Sequence, residues 1–199
     1  MLSRSYSPVR VYLFMSAAFS LFFAMYGTYT AVYRFAVAGL SPFELLLVGT
    51  VLEGSIFLFE IPTGVVADVQ SRRTSVIIGF FLIGAGFVLE GSFATVAAIL
   101  AAQVLWGIGY TFTSGARQAW LADELDDEAL AGRTYLRGAQ LAQAASIVGM
   151  LISVALASIR ISLPLVVSGI GVVLLAALLI PLMREERFQP VPHPERLPF

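Results

Sequence analysis

Six long apolar segments constrain this chain more than any other feature of its sequence. Each is long enough, at roughly 20 residues of helix, to cross the ~30 Å hydrocarbon core of a bilayer. Strands of a membrane barrel would be about 10 residues long with alternating polarity, and these segments do not alternate. We therefore predict an all-α membrane protein whose six transmembrane helices lie near residues 10–33, 43–66, 75–93, 95–120, 134–158 and 162–182.

The composition agrees with a chain that contacts lipid. Of the 199 residues, 58% are hydrophobic and only 13% are charged, whereas a soluble domain has about 25% charged residues. The lipid bilayer is therefore an expected partner. Arg4 and Arg10 precede the first apolar segment in the manner of a signal peptide, but this segment is longer than a cleavable apolar core, so we expect it to be a retained helix.

The arginines predict the orientation, since the sequence has no lysine. If the N-terminus is cytoplasmic, only Arg34 and Arg160 fall on the outer side, and the positive-inside rule favours that arrangement. Both termini are then cytoplasmic, and the expected location is the cell membrane. The arginines expected inside are Arg4, Arg10, Arg72, Arg73, Arg117, Arg133, Arg137, Arg184, Arg187 and Arg196.

Several kinds of chemistry are disfavoured by what the sequence lacks. It has no cysteine, and its one histidine, His193, lies in a proline-rich tail at 184–199. It contains no Gly-rich GK[ST] loop for a nucleotide phosphate and no HExxH zinc motif. We therefore predict no enzymatic activity, no metal site, no cofactor and no nucleic-acid partner.

Carboxylates inside the apolar segments are the first functional candidates, because ionisable groups in a bilayer are costly. Glu53 is expected about 15 Å into the second segment, near the midplane, and Glu60 about 10 Å deeper on the same face. Glu53 either lines an aqueous cavity, where it binds a cation or a coupling proton, or is buried and bonded to a glutamine. Glu60 is expected to cap or orient the next loop, and Glu90 to lie at the membrane interface.

Aromatic and amide side chains complete the candidates for substrate or coupling-ion binding. Aromatic side chains can surround a cation or a flat organic molecule. Tyr29, Tyr33 and Trp120 are assigned to the aromatic belts at the membrane surfaces. The candidates expected to face the cavity beside Glu53 are Tyr26, Gln103, Trp106, Gln140 and Gln143.

A compact charged turn closes the second segment, in the stretch EIPTGVVADVQSRR at residues 60–73. Both this turn and the end of the fourth segment are expected on the cytoplasmic face. Their charges therefore predict a latch that joins the second, third and fourth helices, the alternative being a scatter of solvated loop charges. The latch residues are Gly64, Asp68, Arg72, Arg73, Arg117 and Asp123.

The same turn resembles a known transporter signature. GVVADVQSRR resembles the GxxxDxxxRR loop of the major facilitator superfamily, with Gly64, Asp68, Arg72 and Arg73 at the matching positions. EIPTG and SGARQAWLADEL resemble a bacterial drug- and metabolite-transporter branch of that superfamily. The resemblance implies that Gly64 permits close helix contact and that Asp68 and Arg72 join a conformational latch with Asp123 as acidic partner.

The resemblance also implies a fold and a function. The six helices would be two inverted three-helix repeats, the N-terminal half of a transporter whose halves enclose the substrate. The missing half would be a C-terminal half of a longer protein, a second copy of the chain or another chain, and 184–199 would be a tail or the start of the linker. The implied function is secondary transport of a small organic solute by alternating access, and Glu53 is the candidate residue for coupling it to protons. The alternative is a non-transporting six-helix scaffold or assembly subunit.

Overall fold

A computed structural model of the protein describes residues 7–188, and these fold into seven helices. A π-helical turn, Tyr33–Val37, continues the first helix. Predictions that concern Arg4, His193 and Arg196 lie outside the described residues. The helices are α1 Pro8–Val32, α2 Pro42–Val69, α3 Arg72–Ser92, α4 Val96–Thr113, α5 Ala116–Leu125, α6 Glu128–Ala157 and α7 Leu163–Leu182.

Six spans in the described residues are long and apolar enough to cross a membrane, which confirms the predicted number. Helices α4 and α5 together form one of these spans, Val96–Leu125, interrupted near Ser114. The fold is that of a multi-pass membrane protein whose outer surface contacts lipid. The fifth span begins at Glu128, six residues before the predicted position 134, because a search for apolar runs overlooks a polar first turn.

Side-chain caps explain where several helices begin. Ser41 and Glu44 form a capping box at the start of α2, where Pro42 occupies the first turn. Ser71 accepts a hydrogen bond from the backbone N–H of Thr74 and so starts α3 only two residues after α2 ends. Asp127 caps α6 in the same way, through the N–H of Leu130.

The helices alternate in direction, and neighbours pack in the order α6, α1, α7, α3, α4, α2. Short connections force this antiparallel arrangement. One end of the bundle contains the start of α1, the α2–α3 turn and the end of α7, and we call it the Arg72 end. The opposite end, with the α1–α2, α3–α4 and α6–α7 connections, is called the Glu90 end. The short helix α5 lies at the Arg72 end, against α3, α6 and α1.

Small residues bring the helices close together. A Cβ placed on Gly84 of α3 would lie 2.8 Å from the carbonyl oxygen of Gly169 in α7, so the two backbones are in direct contact. On α6, Gly149 faces the backbone of Leu21, and the hydroxyl of Ser153 donates to the carbonyl of Met25 at 2.7 Å. Small residues of α6 therefore pack against α1.

Helices α2 and α6 have the least internal contact. Only 11% of the apolar 18-residue stretch of each is buried inside the bundle, against 56% for α3 and 50% for α7. Large apolar side chains cover both exposed surfaces, among them Phe57 and Ile61 on α2 and Leu151 on α6. These surfaces require lipid or another protein segment.

Candidate functional site

A cleft of about 680 Å³ lies between α1, α2 and the α4–α5 span. Aromatic side chains from α1 and α4 form one wall, and two carboxylates from α2 form another. It therefore combines apolar contact area with charged groups that belong to candidate membrane spans. Its lining residues are Phe19, Phe23, Leu52, Glu53, Ile56, Glu60, Trp106, Tyr110, Thr113, Ser114, Gly115, Arg117 and Gln118.

The α2 wall presents Glu53 and Glu60 to the cleft. Both side chains are exposed, and neither forms a hydrogen bond or an ion pair with another described residue. Their seven-residue spacing places them on one helix face. Glu53 thus lies in the lined cleft, and it is not buried against Gln103, Gln140 or Gln143. Glu60 lies in the same cleft, whereas the sequence favoured a role at the next loop.

A break in the fourth span creates the floor of the cleft. Gly115 has φ = 75°, a left-handed backbone conformation that glycine adopts without strain, and it is the N-cap of α5, directly after the C-cap of α4 at Ser114. The first α5 hydrogen bond runs from Ala119 N to Gly115 O, and no side chain caps the helix. The N–H groups of Ala116, Arg117 and Gln118 therefore precede the helical hydrogen-bond ladder.

Arg117 places a guanidinium beside this break. Its Cζ lies 5.5 Å from the ring centroid of Phe19 and 6.0 Å from that of Phe80, and these two rings stack on each other at 4.7 Å. Its Nε is buried and has no hydrogen-bond partner. The sequence placed Arg117 in the charge latch with Asp123, but within the described residues these two side chains form no ion pair.

Four other predicted binding residues lie outside the cleft. Tyr26 and Gln103 are each only 1% exposed and bond to Glu90 instead, so the expectation that they face the cavity is wrong. Gln140 and Gln143 are exposed on α6, away from the lining residues. Of the predicted set, only Glu53 and Trp106 line the cleft.

Glu90 is the centre of a buried polar cluster at the Glu90 end. Its Oε2 accepts hydrogen bonds from the Tyr26 hydroxyl at 2.7 Å and from Gln103 Nε2 at 2.8 Å. Arg34, from the π-helical turn, donates Nε to Oε1 at 2.7 Å and Nη2 to Oε2 at 3.1 Å. The Glu90 side chain is fully buried, which contradicts its assignment to the membrane interface. The cluster ties α1, α3 and α4 together.

Sequence reasoning missed this cluster although a signal for it was present. Alternating helix directions place the end of the first helix and the end of the third on the same side of the membrane. Arg34 and Glu90 occupy those two ends, and both are single charges among apolar residues. Opposite charges in such positions pair readily, because an isolated charge there is costly.

Trp106 connects the cleft to the Glu90 cluster. It lines the cleft, and its indole meets the rings of Tyr26 and Phe87 edge-on, each with centroids 5.5 Å apart. Tyr26 stacks on Phe87 at 3.6 Å while its hydroxyl bonds to Glu90. Contacts between aromatic rings, from Trp106 to Tyr26, therefore link the cleft to the buried carboxylate.

At the Arg72 end, Arg72 joins α3 to α5. Its Nη1 forms an ion pair with Asp123 and also donates to the carbonyl of Ala119 at 3.0 Å. Asp68 is exposed and forms no hydrogen bond or ion pair with a described residue, and it lies near enough to Asp123 for like-charge repulsion. A Cβ on Gly64 would have nothing within 4 Å. The contact implied for Gly64 is therefore not made within the described chain.

Arg73 and the segment after α7 form a second set of contacts at this end. Arg73 donates Nε to Met183 O at 2.5 Å and Nη2 to Ile180 O at 2.6 Å. The 184–188 segment then crosses the ends of α3 and α5. The Glu185 carboxylate accepts hydrogen bonds from the Ser71 hydroxyl and from the N–H of Arg73. Arg184 O accepts from Trp120 Nε1. Glu124 Oε1 accepts from the N–H groups of Glu186 and Arg187.

Burial contradicts two of the assignments to the aromatic belts. Trp120 is 1% exposed and donates to Arg184 O at 2.7 Å, so it is a core residue and does not belong to an aromatic belt. Tyr33, also assigned to a belt, is 1% exposed. The first residues of the predicted tail are docked on the bundle.

Within the described residues, no group of three or more histidine, cysteine, aspartate or glutamate side chains is placed to hold a metal ion. The side chains that line the cleft offer ionic, hydrogen-bonding and aromatic contacts. Two carboxylates and one guanidinium can bind charged groups, and the rings of Phe19, Phe23 and Trp106 can contact an apolar body.

Comparison with known proteins points to membrane transport. No family model matches the chain. It is 26% identical over 121 residues to the uncharacterized MFS-type transporter YxaM of Bacillus subtilis (strain 168). The matched region covers 61% of this chain but only 30% of that relative, so the match spans less than a third of the relative's length. The chain is thus distantly similar to an MFS-type transporter.

Proposed function

We propose that this chain is the N-terminal six-helix half of a secondary transporter that moves a small organic solute by alternating access. The cleft between α1, α2 and the α4–α5 span carries the proposal. Its volume of about 680 Å³ lies within the roughly 300–1,000 Å³ of small-molecule sites. Three ionisable side chains of candidate membrane spans line it, and such groups mark substrate or ion pathways.

The proposed second half covers the α2 and α6 surfaces. Both helices present large apolar side chains outward and are mostly unburied, as expected of faces that meet another set of helices. The cleft opens beside α2. The larger size of the relative supports a partner within the same polypeptide, although a second copy or another chain would satisfy the same surfaces.

The proposed orientation places the Arg72 end in the cytoplasm of the cell. Most arginines of the described residues lie towards the Arg72 end, and only Arg34 and Arg160 lie at the Glu90 end. Those towards the Arg72 end are Arg10, Arg72, Arg73, Arg117, Arg133, Arg137, Arg184 and Arg187. Such an arginine excess favours the cytoplasmic side. The pair Arg72–Asp123 would then be a cytoplasmic latch between α3 and α5.

Glu53 is the proposed coupling-proton site. It faces the cleft with no ion-pair partner among the described residues, so it is accessible to protons from the cleft. Glu90 differs because Arg34, Tyr26 and Gln103 occupy its oxygens. A carboxylate that already accepts these hydrogen bonds is a structural tie, whereas Glu53 forms no side-chain hydrogen bond with another described residue and lies nearer the middle of α2 than Glu60.

Transport by the complete protein tests the proposal. The protein encoded by the complete reading frame is purified and reconstituted in liposomes that contain a pH-sensitive dye. Panels of radiolabelled amino acids, aromatic carboxylates and amines are then screened for uptake. For any solute transported, Glu53→Gln is expected to abolish the dependence on a proton gradient, and Asp68→Asn to slow flux. Glu128→Gln, an exposed carboxylate outside the cleft, is the matched control and should transport normally.

The same experiment separates transport from the scaffold alternative. A scaffold whose polar residues only pack helices would move no solute in this panel, and its Glu53→Gln and Asp68→Asn variants would behave as the native protein. Unchanged flux in both variants would refute the mechanism proposed for Glu53 and Asp68. Solute uptake by the native protein would exclude the scaffold.

A further inference from the structure

Arg117 is a cation for which the described residues provide no anion. Glu53 and Glu60 line the same cleft, yet neither pairs with it, and Asp123, on the same helix, pairs with Arg72. Its Nε is buried without a hydrogen-bond partner, although an arginine usually places its donors on acceptors. Arg117 lines the cleft, and a carboxylate that accepts from its guanidinium there would form charge-assisted hydrogen bonds.

The break between α4 and α5 adds a second source of positive potential at the same place. The N–H groups of Ala116, Arg117 and Gln118 open α5 without a side-chain cap, and the residues of this turn line the cleft. The start of a helix carries a partial positive charge and binds anions through free N–H groups. Broken membrane helices of transporters use their N-termini in this way.

Apolar surface surrounds this positive corner. Phe19 lies under the Arg117 guanidinium, and Phe23 and Trp106 continue the same wall towards the middle of the membrane. An organic molecule with an anionic group at one end and an apolar ring at the other would match both parts. An inorganic anion would leave the aromatic wall unused.

We propose that Arg117 and the uncapped N-terminus of α5 bind the anionic group of a small organic solute, of the carboxylate class, whose apolar or aromatic body lies against Phe19, Phe23 and Trp106. This inference rests on the proposed function, because it names the substrate class of the same cleft. It reassigns Arg117 from the cytoplasmic latch to substrate binding. Arg72 and Asp123 retain the latch.

Three probes of one shape and different charge test the inference directly. The purified 199-residue chain in neutral detergent is titrated with 4-nitrobenzoate, 4-nitrobenzyl alcohol and 4-nitrobenzylammonium, and quenching of tryptophan fluorescence is recorded. Trp106 lines the cleft, so it reports binding, and a Trp106→Phe variant identifies its share of the signal. Because hydrogen bonds to charged groups are stronger, 4-nitrobenzoate is expected to bind about tenfold more tightly than the alcohol.

Two variants and a control locate the charge preference. Arg117→Gln should bring the affinities for 4-nitrobenzoate and the alcohol together. Gln118→Glu places a negative charge at the start of α5, where it favours the helix, and should weaken 4-nitrobenzoate alone by at least about threefold. Arg133→Gln removes an exposed arginine of α6 outside the cleft and should change neither affinity.

The outcomes decide the inference independently of transport. Equal affinities for the three probes in the native chain would overturn the inference. A preference for 4-nitrobenzylammonium would also overturn it and would assign the cleft to cations, through Glu53 and Glu60. A carboxylate preference that survives both Arg117→Gln and Gln118→Glu would also overturn it. If Arg117→Gln does not fold, Gln118→Glu alone decides. Absence of solute flux would refute the proposed function and leave this binding result intact.

Discussion

Arg34 and Glu90 form a two-point ion pair across the Glu90 end of the bundle, with Nε–Oε1 at 2.7 Å and Nη2–Oε2 at 3.1 Å. The two side chains come from residues 56 positions apart, and 16% of the Arg34 side chain is exposed while Glu90 has none exposed. The pair fixes the π-helical turn after α1 onto α3. The arrangement is bidentate, the strongest geometry for arginine and a carboxylate.

The two partners of this pair should differ in how much their loss destabilises the fold. Arg34→Gln leaves a fully buried carboxylate without its cation, whereas Glu90→Gln leaves an arginine that still reaches solvent. Removing one partner of a buried ion pair costs about 3–5 kcal/mol. We expect Arg34→Gln to lower the unfolding midpoint in detergent more than Glu90→Gln, and the double variant to cost less than the two changes added together.

Arg160→Gln is the control for this pair. Arg160 lies at the same end of the bundle and is exposed, so its loss should leave the midpoint close to that of the native chain. Additive effects of Arg34→Gln and Glu90→Gln would show that the two side chains do not interact in the folded protein.

The docked 184–188 segment should be protected from protease by Glu124. Glu124 Oε1 accepts hydrogen bonds from the N–H groups of Glu186 at 2.7 Å and Arg187 at 3.1 Å. Glu124→Ala removes both contacts, so trypsin should cut after Arg187 faster than in the native chain, as followed by mass spectrometry. Glu128→Ala, an exposed carboxylate one turn away in sequence, is the control. Equal cleavage rates in both variants would mean that Glu124 does not retain the segment.

The sequence predicts the number of spans well because bilayer thickness imposes it. Apolar segments of about 20 residues have few alternative folds in lipid, where every backbone group must bond within the segment. The same reasoning does not locate the break at Gly115, because Ser114 and Gly115 lie within an otherwise continuous span. Only the backbone shows that Gly115 adopts φ = 75° and opens a helix start into the cleft.

Candidate residues were harder to place because periodicity gives a helix face but not its neighbour. Tyr26 and Trp106 lie within one aromatic cluster, yet Tyr26 turns its hydroxyl to Glu90 and Trp106 turns towards the cleft. Glu53 could be placed at cleft depth by its position along α2 alone. Glu90 could not, since its burial depends on Arg34, Tyr26 and Gln103 from two other spans.

Reversing the charges of Arg72 and Asp123 should show how much their ion pair contributes to stability, apart from the other contacts of Arg72. Arg72 and Asp123 are 15% and 27% exposed, so their attraction is partly screened and worth roughly 1 kcal/mol or less. Asp123→Arg places two cations together and should lower the unfolding midpoint, and adding Arg72→Asp should restore part of the loss. The effects of Arg73→Gln and Asp123→Arg on the unfolding midpoint should add, because Arg73 donates to Met183 and Ile180 and not to Asp123. No recovery in the double variant would show that the pair contributes nothing.

Alanine at Gly84 should destabilise the contact between α3 and α7. Its Cβ would lie 2.8 Å from Gly169 O and from the backbone N of Val173, and neither backbone atom can move without separating the helices. Such overpacking costs about 1–3 kcal/mol. A Cβ on Gly27 of α1 would meet nothing within 4 Å. Gly27→Ala should therefore leave the free energy of unfolding unchanged or raise it by up to about 1 kcal/mol. Unfolding midpoints of the two variants in detergent provide the comparison.

Gly64 offers a test of the missing half, because its surroundings should differ between this chain and the complete transporter. In the described residues a Cβ at Gly64 meets nothing within 4 Å, so Gly64→Ala should not destabilise the 199-residue chain. In the proposed complete protein, helices of the second half pack against this face of α2, and the added methyl group would separate them. Gly64→Ala should therefore slow solute flux in liposomes, while Gly49→Ala, equally open on the same helix, serves as the control. Normal flux in Gly64→Ala would indicate that no helix of a second half approaches α2 at this position.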